Sequence, residues 1–201
     1  MLAFKQVGHR FASQPIFTDI SLEITEPRVL ITGANGIGKT SLLLIAAGLL
    51  SPTTGAVTLN GINVTAPGAR ENIGISASKV ALPGFMSAND LLQFHQSQYG
   101  CESAQQWVSA FGLSDYLFTL IQDLSLGNYK KLSLILAIMH QPALLLLDEP
   151  ANGLDVRTRE VLDQCIAEYA GQILIASHEP LNFAGQPVRH LHLDSHGVHE
   201  R

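Results

Sequence analysis

The residues Gly33-Ala34-Asn35-Gly36-Ile37-Gly38-Lys39-Thr40 follow G-x-x-x-x-G-K-[ST], the pattern of a loop that cradles phosphates. Glycines at those positions let the backbone turn tightly, so that several N–H groups point at phosphate oxygens. Lys39 is placed to reach the β- and γ-phosphates, and the Thr40 hydroxyl to ligate Mg²⁺. Gly33, Asn35, Gly36, Gly38, Lys39, Thr40 and Ser41 are therefore the candidate phosphate-binding residues. The flanks fit: Arg28–Thr32 reads as a buried strand, and Ser41–Leu50 as a buried helix. A helix starting at about Gly38 would aim the positive end of its dipole at the same anion.

Two further stretches carry chemistry. Ala143-Leu144-Leu145-Leu146-Leu147-Asp148 is a fully apolar run ending in an acid, which reads as a central parallel strand. Ligands of open α/β sheets bind at the carboxyl edge of the strands. Asp148 there is placed to hold Mg²⁺, and Glu149 to face the γ-phosphate as a general base or water-positioner. The bland alternative is a strand-end turn with solvated acids. Gln172-Ile173-Leu174-Ile175-Ala176 reads as a second central strand, followed by Ser177-His178. A histidine at that edge can contact the γ-phosphate and the attacking water; otherwise it is an ordinary exposed loop residue.

The elements that must position these residues are legible in pattern. Leu2–Val7 is β-like, and Phe17–Ile24 alternates as a half-buried strand does. Ala56–Leu59 leads into an Asn60-Gly61 hairpin turn, and Asn72–Ser76 is another short strand. From Ala88 to about Asp123 the pattern is helical, through Leu91, Leu92, Phe94, Trp107, Val108, Phe111, Leu117 and Leu120. Asn128–His140 is helical until Pro142, and Asp155 can cap a helix from Val156 to about Ala170. Val188–Leu193 alternates and is expected to close the chain as an edge strand. Strands alternating with helices imply a mostly parallel α/β sheet.

Composition bounds the rest. The chain has 201 residues, 46% hydrophobic and 14% charged, with net charge −5. This suggests one globular domain, with less charged surface than usual. No basic patch argues for nucleic acid as the main partner. Cys101 and Cys165 have no metal or disulfide spacing, which makes a reducing compartment the default. The first residues lack a signal-peptide apolar region, and the longest apolar run, Leu42–Leu50, is too short to span a bilayer. The chain is therefore expected to be soluble by itself. His190 and His192 share a strand face in a His-rich tail, which reads as an outward face or, more weakly, as a metal site.

Over essentially its whole length the chain resembles the ATPase subunits of ATP-binding-cassette (ABC) transporters. The resemblance rests on an ordered set: Gly33–Thr40, Leu124-Ser125-Leu126-Gly127-Asn128, Leu147-Asp148-Glu149-Pro150, Gly153-Leu154-Asp155 and His178. It implies an α/β fold: a P-loop NTPase core with a mostly parallel sheet, an N-terminal antiparallel β subdomain and a helical lobe inserted at about residues 80–135. It implies ATP and Mg²⁺ as ligands, Glu149 and His178 as catalytic residues, and Phe11 as the aromatic that stacks on adenine, with core packing the alternative for Phe11. In the family two ATPase domains pair head to tail, each ATP lying between one domain's phosphate loop and the other's signature segment. Ser125 and Gly127 would then touch the partner's γ-phosphate, and Asp155 would cross the interface. The implied partners are a second ATPase domain, in a homodimer or heterodimer, and an integral membrane permease. The implied location is cytoplasmic, peripheral on the membrane face, with no nucleic acid expected.

The chain departs from the family pattern in two places. The usual Leu-Ser-Gly-Gly-Gln has Leu126 for its first glycine, and the basic residues that follow survive as Lys130 and Lys131. The family's glutamine linking active site to permease falls at Ser78, which bonds Mg²⁺ or water with shorter reach; Gln93, Gln96 and Gln98 come too late. ATP binding is expected to be sound and hydrolysis slow. The alternatives are a nucleotide-binding regulatory module with negligible turnover, or one chain of an asymmetric pair. A phosphate-loop kinase and a nucleic-acid-associated cassette fit less well. The stretch Ser177–Asn182 resembles one in the small ATPases of haem-exporter systems for cytochrome c maturation, which points to haem or a related export substrate.

Overall fold

The alternating segments at the N-terminus build an antiparallel sheet, and the continuous apolar runs build a parallel one. The computed structural model describes residues 1–12, 14–101, 104–178, 181–194 and 197–200. Glu179 and Pro180 of the Ser177–Asn182 stretch, and Ser195 and His196 of the tail, lie outside the described residues.

In chain order come β1 (Leu2–Phe11), β2 (Gln14–Ile24), β3 (Arg28–Thr32), α1 (Lys39–Ala46), β4 (Thr54–Leu59), β5 (Ile62–Asn63) and β6 (Ile73–Ser76). The helices α2 (Ala88–Tyr99), α3 (Gln105–Ala110) and α4 (Leu126–Ile138) follow. The chain then returns to β7 (Leu144–Asp148), α5 (Val156–Glu168), β8 (Gln172–Ala176), β9 (Arg189–Asp194) and β10 (Gly197–Glu200). One sheet runs β2-β1-β4-β5, all antiparallel; the other runs β10-β9-β3-β8-β7-β6. Within the second sheet only the β10–β9 pairing is antiparallel.

The parallel sheet is covered on both faces, which is why its strands are apolar throughout rather than alternating. Val29, Ile31, Leu144, Leu146, Leu174 and Ala176 face α1 and the antiparallel sheet. Leu30, Leu145, Leu147, Ile173 and Ile175 face the side of α2–α5. Buried Arg28 ties the lower end of this layer together. Its guanidinium donates to the carbonyls of Ile166 (2.7 Å), Pro27 and Gly171 (3.0 Å each), Ala167 (3.3 Å) and Tyr169. Several of these carbonyls end α5 and have no partner within the helix.

The structure corrects four sequence expectations. β9 is not the edge strand: a hairpin adds β10 outside it. α1 stops at Ala46 rather than Leu50, because the chain turns at Gly48 (φ 66°), whose Cα lies against the Val64 carbonyl. α4 begins at Leu126, with Ser125 as its N-cap, rather than at Asn128. Phe94, read as part of the apolar helical face, is 56% exposed. The Asn60-Gly61 hairpin is present, with both residues at positive φ as a tight two-residue turn needs. Among the described residues no helix is long and apolar enough to cross a membrane.

Candidate nucleotide site

Parallel pairing brings the carboxyl ends of β3, β8 and β7 to one edge, in that spatial order. The phosphate loop leaves β3, Asp148 and Glu149 end β7, and Ser177 and His178 follow β8. Gly38 stands at φ 113°, and any side chain there would run into Ile16. No side chain caps the N-terminus of α1, so its first-turn N–H groups face the space an anion would fill.

Lys39 is buried, with Nζ turned back onto the carbonyls of Gly33 (2.8 Å) and Ala34 (3.1 Å). The Thr40 hydroxyl donates to Asp148 Oδ2 at 2.7 Å. Burial pushes the Asp148 carboxyl above its ordinary pKa, opposed by the Thr40 hydroxyl, Lys130 and Lys39. Two hard oxygen donors thus already converge where Mg²⁺ chemistry needs them, and the residues fit that ion.

Glu149 sits at φ 44°, a left-handed backbone that costs a non-glycine residue about 1–2 kcal/mol. The turn aims its carboxylate at His178: Nδ1 lies 2.9 Å from Oε1, and the His178 amide donates to Oε2 at 3.4 Å.

A cavity of about 700 Å³ gathers Phe11, Asn35, Gly36, Gly38, Lys39, Thr40, Ser41, Ser78, Asp148 and Glu149 on its walls. Gly33 lies beneath it as the Lys39 acceptor. Phe11 is half exposed rather than part of the core, so the packing alternative for it does not hold. His9 meets the Phe11 ring edge-on with centroids 5.0 Å apart, and Lys79 Nζ lies 5.8 Å from its centroid. Burial pushes the His9 imidazole below its usual pKa.

Ser125, Gly127 and Asp155 are not among the lining residues. Ser125 caps α4 by accepting from the Asn128 amide, and Asp155 caps α5 by accepting from the Thr158 amide. The two caps are joined: Lys131 Nζ lies 3.0 Å from Asp155 Oδ2, and Gly127 packs on the Gly153 carbonyl. Hydrogen bonding from Thr158, reinforced by Lys131, holds the Asp155 carboxyl well below the usual carboxylate range.

Sequence reasoning missed Lys79, Tyr129, Lys130, Ser133 and Asn152 as lining residues. The signal for three of them was available, because a helix capped at Ser125 puts Tyr129 and Ser133 on one face with Lys130 beside them. His192 makes a local contact, its Nδ1 3.2 Å from Thr32 Oγ1, and His190 is exposed. Among the described residues no group of three His, Cys, Asp or Glu could hold a metal ion. A second cavity, of about 650 Å³, lies at the opposite end of the sheet against Trp107, Pro142, Cys165 and Tyr169, away from the paired acids.

Comparisons with known proteins identify the family. Residues 17–152 match the ABC transporter family. The chain is 34% identical to the cytochrome c biogenesis ATP-binding export protein CcmA of Novosphingobium aromaticivorans, over 90% of each chain. It is 31% identical to the biotin transport ATP-binding protein BioM of Rhodobacter capsulatus, over 85% of this chain and 76% of that one. A crystal structure described as a cobalt transport ATP-binding protein superposes with TM-score 0.85 at 26% identity, covering 96% of this chain and 76% of the other. The structure of an ATP-binding subunit of an ABC transporter superposes with TM-score 0.86 at 20% identity, a likeness of fold. The family match, the relatives and the phosphate loop facing an acid pair place this chain in the ABC transporter family, as an ATP-binding subunit with ATPase activity.

Proposed function

We propose that this chain hydrolyses ATP with the residues gathered at the β3–β8–β7 edge, and that closing and opening of a head-to-tail pair of such domains drives a separate membrane permease. The observation that carries the reading is the set Lys39, Thr40–Asp148 and Glu149 on the wall of one cavity, with His178 outside that lining but held against Glu149. Lys39 exchanges the Gly33 and Ala34 carbonyls for phosphate oxygens. Thr40 and Asp148, with Ser78 on the same cavity wall, would hold Mg²⁺, which would supply neutralisation of phosphate charge there. Glu149 accepts the proton of the attacking water, and His178 keeps that carboxylate oriented and steadies the charge that develops. Phe11 stacks adenine.

Ser125, Gly127 and Asp155 are outside the cavity lining, while their neighbours Leu126 and Gly153 enter it; the three are assigned a role toward a second domain's nucleotide. The chain then works on the cytoplasmic face of the membrane, against the permease. One observation favours slow turnover or an asymmetric pair: Leu126 is 80% exposed at the place where a partner's phosphate would approach. For the cargo, export of haem or a related substrate is supported by the relative named for cytochrome c biogenesis, matched over 90% of both chains. The relative named for biotin transport argues for keeping other cargoes in the test.

The test is ATP turnover of the purified chain beside Glu149→Gln, with mass followed by light scattering. Turnover is expected to fall at least about 100-fold in the variant with ATP affinity retained, and an ATP-bound dimer to accumulate. Equal turnover in the two proteins refutes the role of Glu149. ATP binding without turnover or dimer in the wild type favours the asymmetric pair.

A further inference from the structure

The peptide unit between Asp148 and Glu149 is gripped at both ends. Its N–H, from Glu149, donates to the Ala176 carbonyl of β8 at 2.8 Å. Its C=O, from Asp148, accepts from Lys130 Nζ at 2.9 Å. Lys130 belongs to neither strand: it reaches across from the first turns of α4, is half-buried, and lines the nucleotide cavity. The two bonds fix the plane of one peptide immediately before the left-handed residue Glu149. A charged donor in a partly buried setting makes a strong bond to a carbonyl. It opposes the tendency of a non-glycine residue to leave positive φ.

We propose that Lys130 is a positioning residue for hydrolysis: by holding the Asp148 carbonyl it maintains the turn that presents the Glu149 carboxylate to His178 and the attacking water. The side chain does not itself need to meet the nucleotide. The neighbouring Lys131 serves a different bond, to Asp155, so the two lysines are separable by mutation. The proposal rests on Glu149 being the base, and its test therefore includes a measurement that does not need turnover.

Lys130→Met, Lys130→Gln and Lys130→Arg are compared with wild type in the full chain. Steady-state kinetics with MgATP give kcat and KM, and hydrogen exchange is measured for the segment 148–152 and for α1. In Lys130→Met, kcat is expected to fall about 10- to 100-fold while KM stays within about threefold, because only transition-state geometry is lost. Lys130→Arg, which still donates to a carbonyl, is expected to recover kcat to within about fivefold of wild type. The Glu149 amide is expected to exchange about tenfold faster in Lys130→Met, with α1 unchanged. Two results overturn the proposal: kcat within twofold of wild type with unaltered exchange at 148–152, or parallel loss of kcat and ATP affinity in Lys130→Arg and Lys130→Met. Should the wild type bind ATP without turning over, exchange decides alone, faster supporting and unchanged refuting. Should Lys130→Met not fold, Lys130→Gln and Lys130→Arg carry both comparisons.

Discussion

Acidification is expected to weaken the seam between α2 and α4, and the strength of the effect follows from one imidazole. His95 Nε2 lies 3.0 Å from His140 Nδ1, and Tyr99 packs against both rings at 4.4 and 4.2 Å between centroids. Burial, then the neighbouring His140, pushes the His95 pKa down to about 4 from an ordinary 6.5. The folded state thus prefers neutral His95, while the unfolded chain takes up a proton near pH 6.5. Stability is present above pH 6.5 and is lost as pH falls from there toward 4. Between pH 7 and pH 5 the linkage amounts to about 2 kcal/mol, and to about 1 kcal/mol once discounted for the half-exposed ring. The assay is urea denaturation of wild type and His95→Gln at both pH values, which cancels the titration of groups not coupled to His95 and so reads the His95–His140 pair. The wild-type advantage over the variant is expected to shrink by about 1 kcal/mol on going from pH 7 to pH 5. A stability difference between the two proteins that stays constant with pH would refute the reasoning.

Two other predictions test the frame and the signature segment. Arg28→Met strands several buried carbonyls at the end of α5. It is expected to cost about 3–5 kcal/mol and to lower Tm by about 6–20 °C, with ATP KM unchanged below the transition because Arg28 lies at the far end of β3; a calorimetric shift under 3 °C would contradict the estimate. Leu126→Gly removes an 80% exposed side chain from the start of α4, and in a homodimeric motor is expected to raise ATP turnover by about tenfold; an unchanged rate would locate the limit elsewhere, at Ser78 or in the partner chain.

Much of the nucleotide site was legible because its parts are local. A phosphate loop is a strand, a glycine turn and a helix start in consecutive residues, so β3, the loop and the beginning of α1 fall where the pattern puts them. The same holds for β7, whose apolar run ends at Asp148, and for α5, whose cap is Asp155. What failed was what depends on distant packing. β9 looked like an edge strand because nothing in its own residues reveals the return of β10. Phe94 has helical spacing but falls outside the face that packs, so it is 56% exposed. Lys130 and Lys131 carried the sign of their charge in the sequence but not their partners. One meets a backbone carbonyl at the end of β7 and the other a carboxylate at the cap of α5, both well along the chain from α4.

The order of the strands explains why the proposed catalytic set draws on all three segments. Along the chain the phosphate loop comes first, the acids second and His178 last. In the sheet β8 lies between β3 and β7. His178 therefore follows the strand that separates the nucleotide cradle from the acids, and Ala176 on that strand supplies the acceptor for the Glu149 amide. Thr40 still reaches Asp148 across this gap because α1 packs over β7 and β8. Besides the His178 contact to Glu149, the acid pair is held from three directions: by Thr40 through a carboxylate, by β8 through an amide, and by Lys130 through a carbonyl. Two of these holds come from the core that binds phosphate. The third comes from α4, the helix that Ser125 caps, so the carbonyl adjoining Glu149 is tied directly to that helix.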